Sequence, residues 1–133
     1  MKRYMLDTNM VSYLIKKNPN VARHIKEIPI TSLCVSSITE GELLFGLSKH
    51  PDTKRLHSAV REFLLHTDVL LPWDTVVAEC YGHLRANMER KGKILAPLDM
   101  LIAAHAIEAE AILVTNDKAF KHVANLKLED WTS

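Results

Sequence analysis

Four acidic residues are spaced along the chain where an α/β fold would bring them together: Asp7, Glu42, Asp99 and Asp117. Asp7 ends the short apolar run 4–6, and Asp117 follows the apolar run that begins at 111. In an open parallel sheet, ligands bind just outside the carboxyl ends of the strands. Acids gathered at such an edge repel one another unless protons or a cation offset their charge. The pattern predicts a site for a hard divalent cation and, through it, phosphate chemistry.

The types of candidate metal ligand, and the catalytic motifs that the sequence lacks, limit the reactions that this site could catalyse. Three or four carboxylates without Cys/His ligand spacing favour Mg²⁺, with Mn²⁺ as a substitute, over zinc. The seven histidines form no His-Glu-x-x-His helix, and the four glycines form neither a nucleophile elbow nor a phosphate-binding loop. The sequence therefore favours metal-assisted hydrolysis without a protein nucleophile.

Each acid also has a purely structural interpretation. Asp7 lies at a strand-to-helix junction, where Asp commonly caps the helix, but Thr8 or Asn9 could cap instead and leave Asp7 free. Asp117 could cap a short helix in the same way. Asp99 could be a first-turn acid favoured by the helix dipole, yet it heads an apolar stripe that must face the sheet.

Glu42 competes with a neighbouring acid, Glu40, for the role near the metal. Ser37 and Glu40 have the spacing of a capping box, which gives Glu40 a local structural task. Residues two apart do not share a helix face, so Glu42 points elsewhere. Its alignment with Phe45 and Gly46 predicts that this face turns inward, with a solvated helix acid as the alternative.

A basic group precedes the helix of Asp99 in a glycine-containing loop. A solvated helix face is the default interpretation of such charges. The alternative is that they contact phosphates beside the site. The residues concerned are Arg85, Arg90, Lys91 and Lys93.

Size and composition describe an ordinary globular chain. Its 133 residues are the length of one domain, and a net charge of +1 neither demands nor excludes a nucleic acid. Cys34 and Cys80 lie in apolar segments and indicate reduced core thiols of a cytosolic protein. A signal peptide and a membrane-spanning run are both absent from the sequence, so we expect a cytoplasmic protein without a membrane partner.

The acids would be positioned by strands that alternate with helices. Apolar periodicity predicts the order βααβααβααβα, with a last edge strand near 126–128. The predicted strands are 3–6, 33–35, 69–72 and 111–115, and the helices are 9–17, 20–27, one from 37, one from 51–52, 74–90, 98–110 and 117–123. This order predicts an α/β/α sandwich around a parallel sheet of about four to five strands.

Four segments in this order resemble the PIN-domain nucleases, and the chain as a whole is similar to the VapC-type toxins of bacterial type II toxin–antitoxin modules. The segments are Met5-Leu6-Asp7-Thr8-Asn9, Ser36-Ser37-Ile38-Thr39-x-x-Glu42-Leu43-x-x-Gly46, Asp99-x-x-Ile102-Ala103-Ala104 and Thr115-Asn116-Asp117-x-x-Phe120. The resemblance covers essentially all of residues 1–133, which we expect to form a single PIN domain.

The resemblance implies an endoribonuclease that depends on Mg²⁺ or Mn²⁺. Asp7 and Asp99 would be the firmest metal ligands, with Glu42 and Asp117 as further candidates. Supporting residues would be Thr8, Asn9, Thr115 and Asn116. The same resemblance implies a cognate VapB-type antitoxin, a homodimer and an RNA substrate, with tRNA cut in the anticodon region.

Two other functions compete with this one. A non-catalytic PIN-like module could bind RNA or a partner protein without cutting. Another Mg²⁺ phosphohydrolase, such as an aspartyl phosphatase, usually carries a second Asp two residues after the first, and here that position is Asn9. Nothing in the sequence distinguishes a ribose from a deoxyribose, so a deoxyribonuclease also stays open.

Overall fold

Five short strands in the described residues form a fully parallel sheet with the strand order β3-β2-β1-β4-β5. The structure, a computed structural model, describes residues 2–67, 69–71 and 73–133, and for 69–71 it describes the backbone alone. The strands are β1 (Tyr4–Leu6), β2 (Leu33–Ser36), β3 (Val69–Leu71), β4 (Ile112–Val114) and β5 (Lys127–Glu129). The parallel sheet predicted from the sequence is confirmed. The predicted strand 69–72 extends one residue further than β3, and that residue, Pro72, lies outside the described residues.

Six α-helices are seen in the described residues, in the predicted order. They are α1 (Thr8–Ile15), α2 (Pro19–Lys26), α3 (Ser37–Lys49), α4 (Lys54–His66), α5 (Thr75–Arg90) and α6 (Pro97–Glu108). The segment expected to be a helix near 117–123 is a 3₁₀ turn (Lys118–His122). Helix α4 starts later than Pro51 because the chain first makes a turn, in which Thr53 N–H donates to the His50 carbonyl at 3.2 Å. No described helix has the length and apolar character needed to cross a membrane.

Alternation along the strands divides the core into two layers. Met5, Cys34 and Leu113 pack with α5 and α6 on one face of the sheet. Their neighbours Leu6, Val35 and Val114 pack with α1 to α4 on the other face. Successive side chains of a strand point to opposite faces, so these short strands are buried on both sides. The result is the expected α/β/α sandwich.

The direction of winding reverses at β1. From β1 the chain moves outward through β2 to β3, then returns to the other side of β1 to form β4 and β5. The carboxyl ends of β1 and β4 therefore flank a topological switch point, where open α/β sheets bind ligands. Asp7 and Thr115 directly follow these two strand ends.

The structure decides one helix cap that the sequence left open and corrects another. Helix α1 is capped by Asp7 itself, not by Thr8 or Asn9. Helix α3 is capped by Ser36, whose Oγ accepts from Ile38 N–H at 3.1 Å, so the proposed capping box of Ser37 and Glu40 is wrong. Adjacent hydroxyl residues leave the choice open in the sequence; in the structure Ser36 has the extended backbone of an N-cap and Ser37 is the first helical residue.

Candidate active site

Asp7 is a buried acid at the end of the central strand. Leu6 pairs with Val114, and Asp7 N–H donates to the Val114 carbonyl at 3.1 Å, which places Asp7 beside Thr115. Its Oδ1 accepts from Met10 N–H at 2.8 Å. Burial raises the pKa of Asp7, hydrogen bonds from the Thr115 side chain and Met10 lower it, and the charges of Asp117 and Glu42 raise it again. One carboxylate thus caps a helix and belongs to an acidic group.

Glu42 faces Asp7 from helix α3. Its Oε1 accepts from Thr8 Oγ1 at 2.6 Å, and Thr39 Oγ1 lies 3.4 Å from the same Thr8 hydroxyl. Glu42 acts on the pKa of both Asp7 and Asp99, whereas Glu40 is not among the groups that shift either pKa. The structure therefore places Glu42, and not Glu40, in the crevice.

The inward orientation predicted for the Glu42 face of α3 is wrong at Phe45. Phe45, expected to turn inward with it, is 65% exposed, and Lys49 Nζ lies 5.4 Å from its ring centroid. The hydrogen bond from Thr8 is what directs Glu42 toward the strand ends. Phe45 instead places an exposed aromatic ring on the helix that carries this acid.

Asp99 experiences the charge of every other candidate acid. It lies in the first turn of α6 and is partly buried. Burial, followed by the charges of Asp117, Asp7 and Glu42, raises the pKa of Asp99 to about 6. Like charges shift a pKa this way only over short separations, so the four acids occupy one crevice.

Asp117 and its neighbours form the rim of that crevice. Asp117 is exposed, its Oδ1 accepts from Ala119 N–H at 2.9 Å, and its own N–H donates to Thr115 Oγ1 at 3.1 Å. Asn116 donates from Nδ2 to the Tyr13 hydroxyl at 3.1 Å. Asn9 is exposed on α1, and none of the hydrogen bonds described for residues 2–67, 69–71 and 73–133 joins it to an acid.

The donor set is chemically suited to a divalent cation, although its side chains are not arranged around one. Four carboxylates at a switch point, two of them with raised pKa values, form the charge cluster that a hard cation neutralises. Among the described residues, however, no three acidic, His or Cys side chains stand close enough to hold an ion. Glu42 and Asp117 each accept a hydrogen bond on one carboxylate oxygen, and the Asp7 carboxylate accepts from both Met10 N–H and the Thr115 side chain.

The predicted basic group is divided between two surfaces. Arg85 and Lys93 line a groove of about 140 Å³ that includes Pro97, two residues before Asp99. Arg85 donates to the Tyr81 hydroxyl at 2.8 Å and to Glu89 at 3.3 Å. Arg90 lines a different cavity with Ile107, at the far end of α6 from Asp99. Lys91 is exposed and is the C-cap residue of α5.

Two basic side chains that the sequence analysis did not single out, Lys118 and Lys121, line a groove together with Asp117. A groove of about 230 Å³ runs from Thr115 past Asp117, Lys118 and Lys121 toward Asp130. A larger cavity, of about 560 Å³, has Arg3 and Lys127 among its lining residues and none of the four candidate acids. The lysines of the 3₁₀ turn closely follow Asp117 in the sequence, and this proximity could have identified them as basic residues near the site.

Sequence reasoning also missed four residues that hold the site together. Three of them carry hydroxyls: Tyr13 bonds Asn116, Thr39 adjoins Thr8, and Ser36 caps α3. The fourth is His105, which is buried and bonded to Ser36. The contacts of Tyr13 with Asn116, Thr39 with Thr8 and His105 with Ser36 each join segments far apart in the chain, so local sequence does not reveal them.

Comparison with known proteins agrees with this geometry. The PIN domain family matches residues 4–126. The chain is 35% identical over 133 residues to the "tRNA(fMet)-specific endonuclease VapC" of Shigella flexneri, covering 99% of this chain and 100% of the relative. It is 39% identical to "Ribonuclease VapC2" of Rickettsia felis, covering 96% and 97%. The crystal structure of VapBC2 from Rickettsia felis, bound to a DNA fragment from their promoter, contains a similar chain with a TM-score of 0.88, 36% identity and coverage of 96% and 98%.

Proposed function

Because this chain belongs to the PIN domain family and is a nuclease of the VapC type, we propose that it is a divalent-metal-dependent endoribonuclease toxin. The observation that carries the proposal is the crevice in which the charges of Glu42 and Asp117 raise the pKa values of both Asp7 and Asp99. The proposed substrate is tRNA, cut in the anticodon region so that translation stops. The name of the Shigella flexneri relative makes tRNA(fMet) the first candidate. We further propose that residues 1–133 act as one PIN domain in the bacterial cytoplasm, where tRNA is found.

Asp7 and Asp99 would hold the metal, Mg²⁺ in the first instance and Mn²⁺ as a substitute, with Glu42 and Asp117 completing the acidic set. A bound divalent cation would supply the activated water and the charge stabilisation of phosphodiester hydrolysis. Thr8 orients Glu42 through its 2.6 Å hydrogen bond, and the Thr115 side chain keeps the Asp7 carboxylate aligned. Asn116, held by Tyr13, lies beside Asp117 with an amide that can contact the RNA backbone.

The test is cleavage of purified tRNA by the wild-type protein and by Asp7→Asn, each with Mg²⁺ and with EDTA. Discrete products that need both the metal and Asp7 are expected. Asp52→Asn, which changes an exposed acid outside the crevice, serves as the matched control and should cut like the wild type. Cleavage by Asp7→Asn at the wild-type rate would contradict the site assignment.

A second function, binding without cleavage, is favoured by one specific observation. Asp7 and Asp117 act as helix caps, and no three of the described acids already stand at ligand spacing. A binding module would retain RNA equally in Mg²⁺ and in EDTA, and it would release no products. The same gel that tests cleavage, run beside a filter-binding assay, separates these two functions.

The cognate partner would be a VapB-type antitoxin, as in the VapBC2 complex of Rickettsia felis. Exposed apolar side chains adjoin the acids: Phe45 is on the helix of Glu42, and Leu98 directly precedes Asp99. A partner covering them would also cover the crevice. We also propose a homodimer, and light scattering of the toxin alone and with its antitoxin would determine both stoichiometries.

A further inference from the structure

A buried hydrogen bond joins the two helices that bring acids to the crevice from opposite faces of the sheet. Ser36 Oγ lies 2.7 Å from His105 Nδ1. The two residues are 0% and 2% exposed, respectively. Ser36 ends β2 and caps α3, the helix of Glu42. His105 lies in the last turn of α6, the helix of Asp99.

The Ser36 hydroxyl makes two hydrogen bonds, one within α3 and one to His105, and together they fix its position. Its oxygen accepts from Ile38 N–H at 3.1 Å, which fixes it at the start of α3. A hydroxyl offers one donor and two acceptor positions, so the imidazole occupies one of the two that remain. Whichever atom donates the proton, the bond fixes the first turn of α3 relative to α6.

Rigid helices carry this constraint to the acids. Glu42 lies six residues after Ser36, and Asp99 lies six residues before His105, in each case within or at the end of one helix. Six residues of α-helix extend about 9 Å. A small displacement at the Ser36–His105 contact would therefore change the separation of the two carboxylates.

We propose that Ser36 and His105 are positioning residues that hold Glu42 and Asp99 at the separation needed to bind the metal. The proposal rests on the proposed metal-dependent nuclease. Neither residue touches the substrate. An apolar pair of similar volume would fill the same space but would not specify the angle between α3 and α6, since hydrophobic packing is not directional. A buried polar pair does specify this angle, because a buried donor or acceptor that loses its hydrogen-bond partner destabilises the folded protein.

Two substitutions of His105 separate the hydrogen bond from simple packing. His105→Asn places an amide atom at the position of Nδ1 and so keeps a partner for Ser36. His105→Leu fills a similar volume without one. We expect His105→Leu to lower kcat for tRNA cleavage about 10-fold or more, with KM within about twofold, and to raise the Mg²⁺ concentration for half-maximal activity. His105→Asn should restore most of both losses.

A double-variant comparison tests whether the two residues act as a pair. Ser36→Ala removes a single oxygen atom and remains usable if His105→Leu fails to fold. The combined Ser36→Ala/His105→Leu variant should lose no more activity than the more impaired single variant. Losses that multiply, or equal losses in His105→Asn and His105→Leu, would overturn the proposal.

A second readout does not depend on cleavage. Mg²⁺ binding by calorimetry should weaken in His105→Leu and recover in His105→Asn. A wild-type protein that binds Mg²⁺ but cuts no RNA would refute the proposed nuclease while leaving the positioning role testable by binding. Unchanged Mg²⁺ affinity in His105→Leu, in a protein whose Tm has fallen, would show that the pair only stabilises the fold.

Discussion

At the residue scale, Asp99 shows how the site balances charge against burial. Its carboxyl group lies in the first turn of a helix, where the dipole favours a negative charge. Burial and three nearby acids nevertheless raise the pKa of Asp99 to about 6. Desolvation and repulsion therefore outweigh the helix dipole, and the site is destabilised until a cation or a proton enters it.

Asp99→Asn should stabilise the metal-free protein at neutral pH. Between the ordinary pKa of 3.8 and about 6, the folded protein retains a proton that the unfolded chain releases, so stability falls as pH rises through this window. Because Asp99 is only partly buried, solvent screening reduces the expected gain in unfolding free energy at pH 7.5 to about 1 kcal/mol.

Urea unfolding in EDTA at pH 4 and pH 7.5 measures this effect. The gain from Asp99→Asn should be much smaller at pH 4, where the folded carboxyl is protonated and a large share of the unfolded chains are protonated as well. Asp52→Asn, an exposed acid outside the crevice, should show no such difference. A gain of equal size at the two pH values would mean that the cause is not the charge of Asp99.

Thr8 is predicted to act on catalysis through Glu42. Thr8→Val keeps the shape of the side chain but removes the hydroxyl that donates to Glu42 at 2.6 Å. Residues that orient metal-binding carboxylates typically affect activity about 10- to 100-fold when changed. We expect a loss in that range for Thr8→Val and a change of less than about twofold for Thr8→Ser, both measured as kcat for tRNA cleavage. Equal activity of Thr8→Val and Thr8→Ser would show that the Thr8 hydroxyl has no role in catalysis.

At the scale of elements, the loop between α5 and α6 offers a test of RNA binding. Gly92 has a φ of +68° and lets the chain turn sharply after α5, so that Lys93 lies with Arg85 beside the start of α6. Arg90, although close in sequence, lines a cavity at the other end of α6. The basic group should therefore not act as a unit.

Substituting Arg85 and Lys93 together by Gln should weaken binding of single-stranded RNA and reduce its dependence on salt. Two lost phosphate contacts would lower the slope of log K against log salt by about 1.4. Arg90→Gln is the matched control and should leave the slope unchanged. Filter binding in EDTA, which prevents cleavage, gives these slopes. If Arg90→Gln lowers the slope as much as the double substitution does, Arg90 contacts RNA together with Arg85 and Lys93.

Elements also show what local sequence signals can and cannot predict. The order of strands and helices followed from apolar runs, because burial on both faces makes short β-branched and aliphatic segments distinctive. The cap of α3 was misplaced by one residue. Ser36 and Ser37 are equivalent locally, and the partner that favours Ser36 is His105, 69 residues away. Contacts of this range depend on the strand order, which the sequence pattern leaves open.

At the scale of the whole molecule, the winding reversal at β1 explains why acids so far apart in sequence meet. The position of an acid after each apolar run could be predicted from the sequence. That β1 lies between β2 and β4 could not, because the pattern βααβ fits several strand orders. The side-chain contacts, Thr8 with Glu42 and Asn116 with Tyr13, depend on that order and so were also beyond prediction.

Metal binding should stabilise the fold as a whole. A ligand that binds only the folded protein raises its unfolding free energy by RT ln(1 + [L]/Kd), about 1.4 kcal/mol at a tenfold excess over Kd. For a chain of 133 residues this corresponds to roughly 3–6 °C in Tm. We expect Mg²⁺ to raise the Tm of the wild type by this amount, relative to EDTA with NaCl at equal ionic strength.

The acid variants make this prediction specific to the crevice. Asp7→Asn and Asp99→Asn each remove one of the two firmest proposed ligands and one of the repelling charges. Both proteins should therefore melt above the wild type in EDTA yet gain little from Mg²⁺. Asp52→Asn should melt and respond like the wild type. If Mg²⁺ raises the Tm of all four proteins equally, the cation binds elsewhere, and the four acids are held together by burial and hydrogen bonds alone.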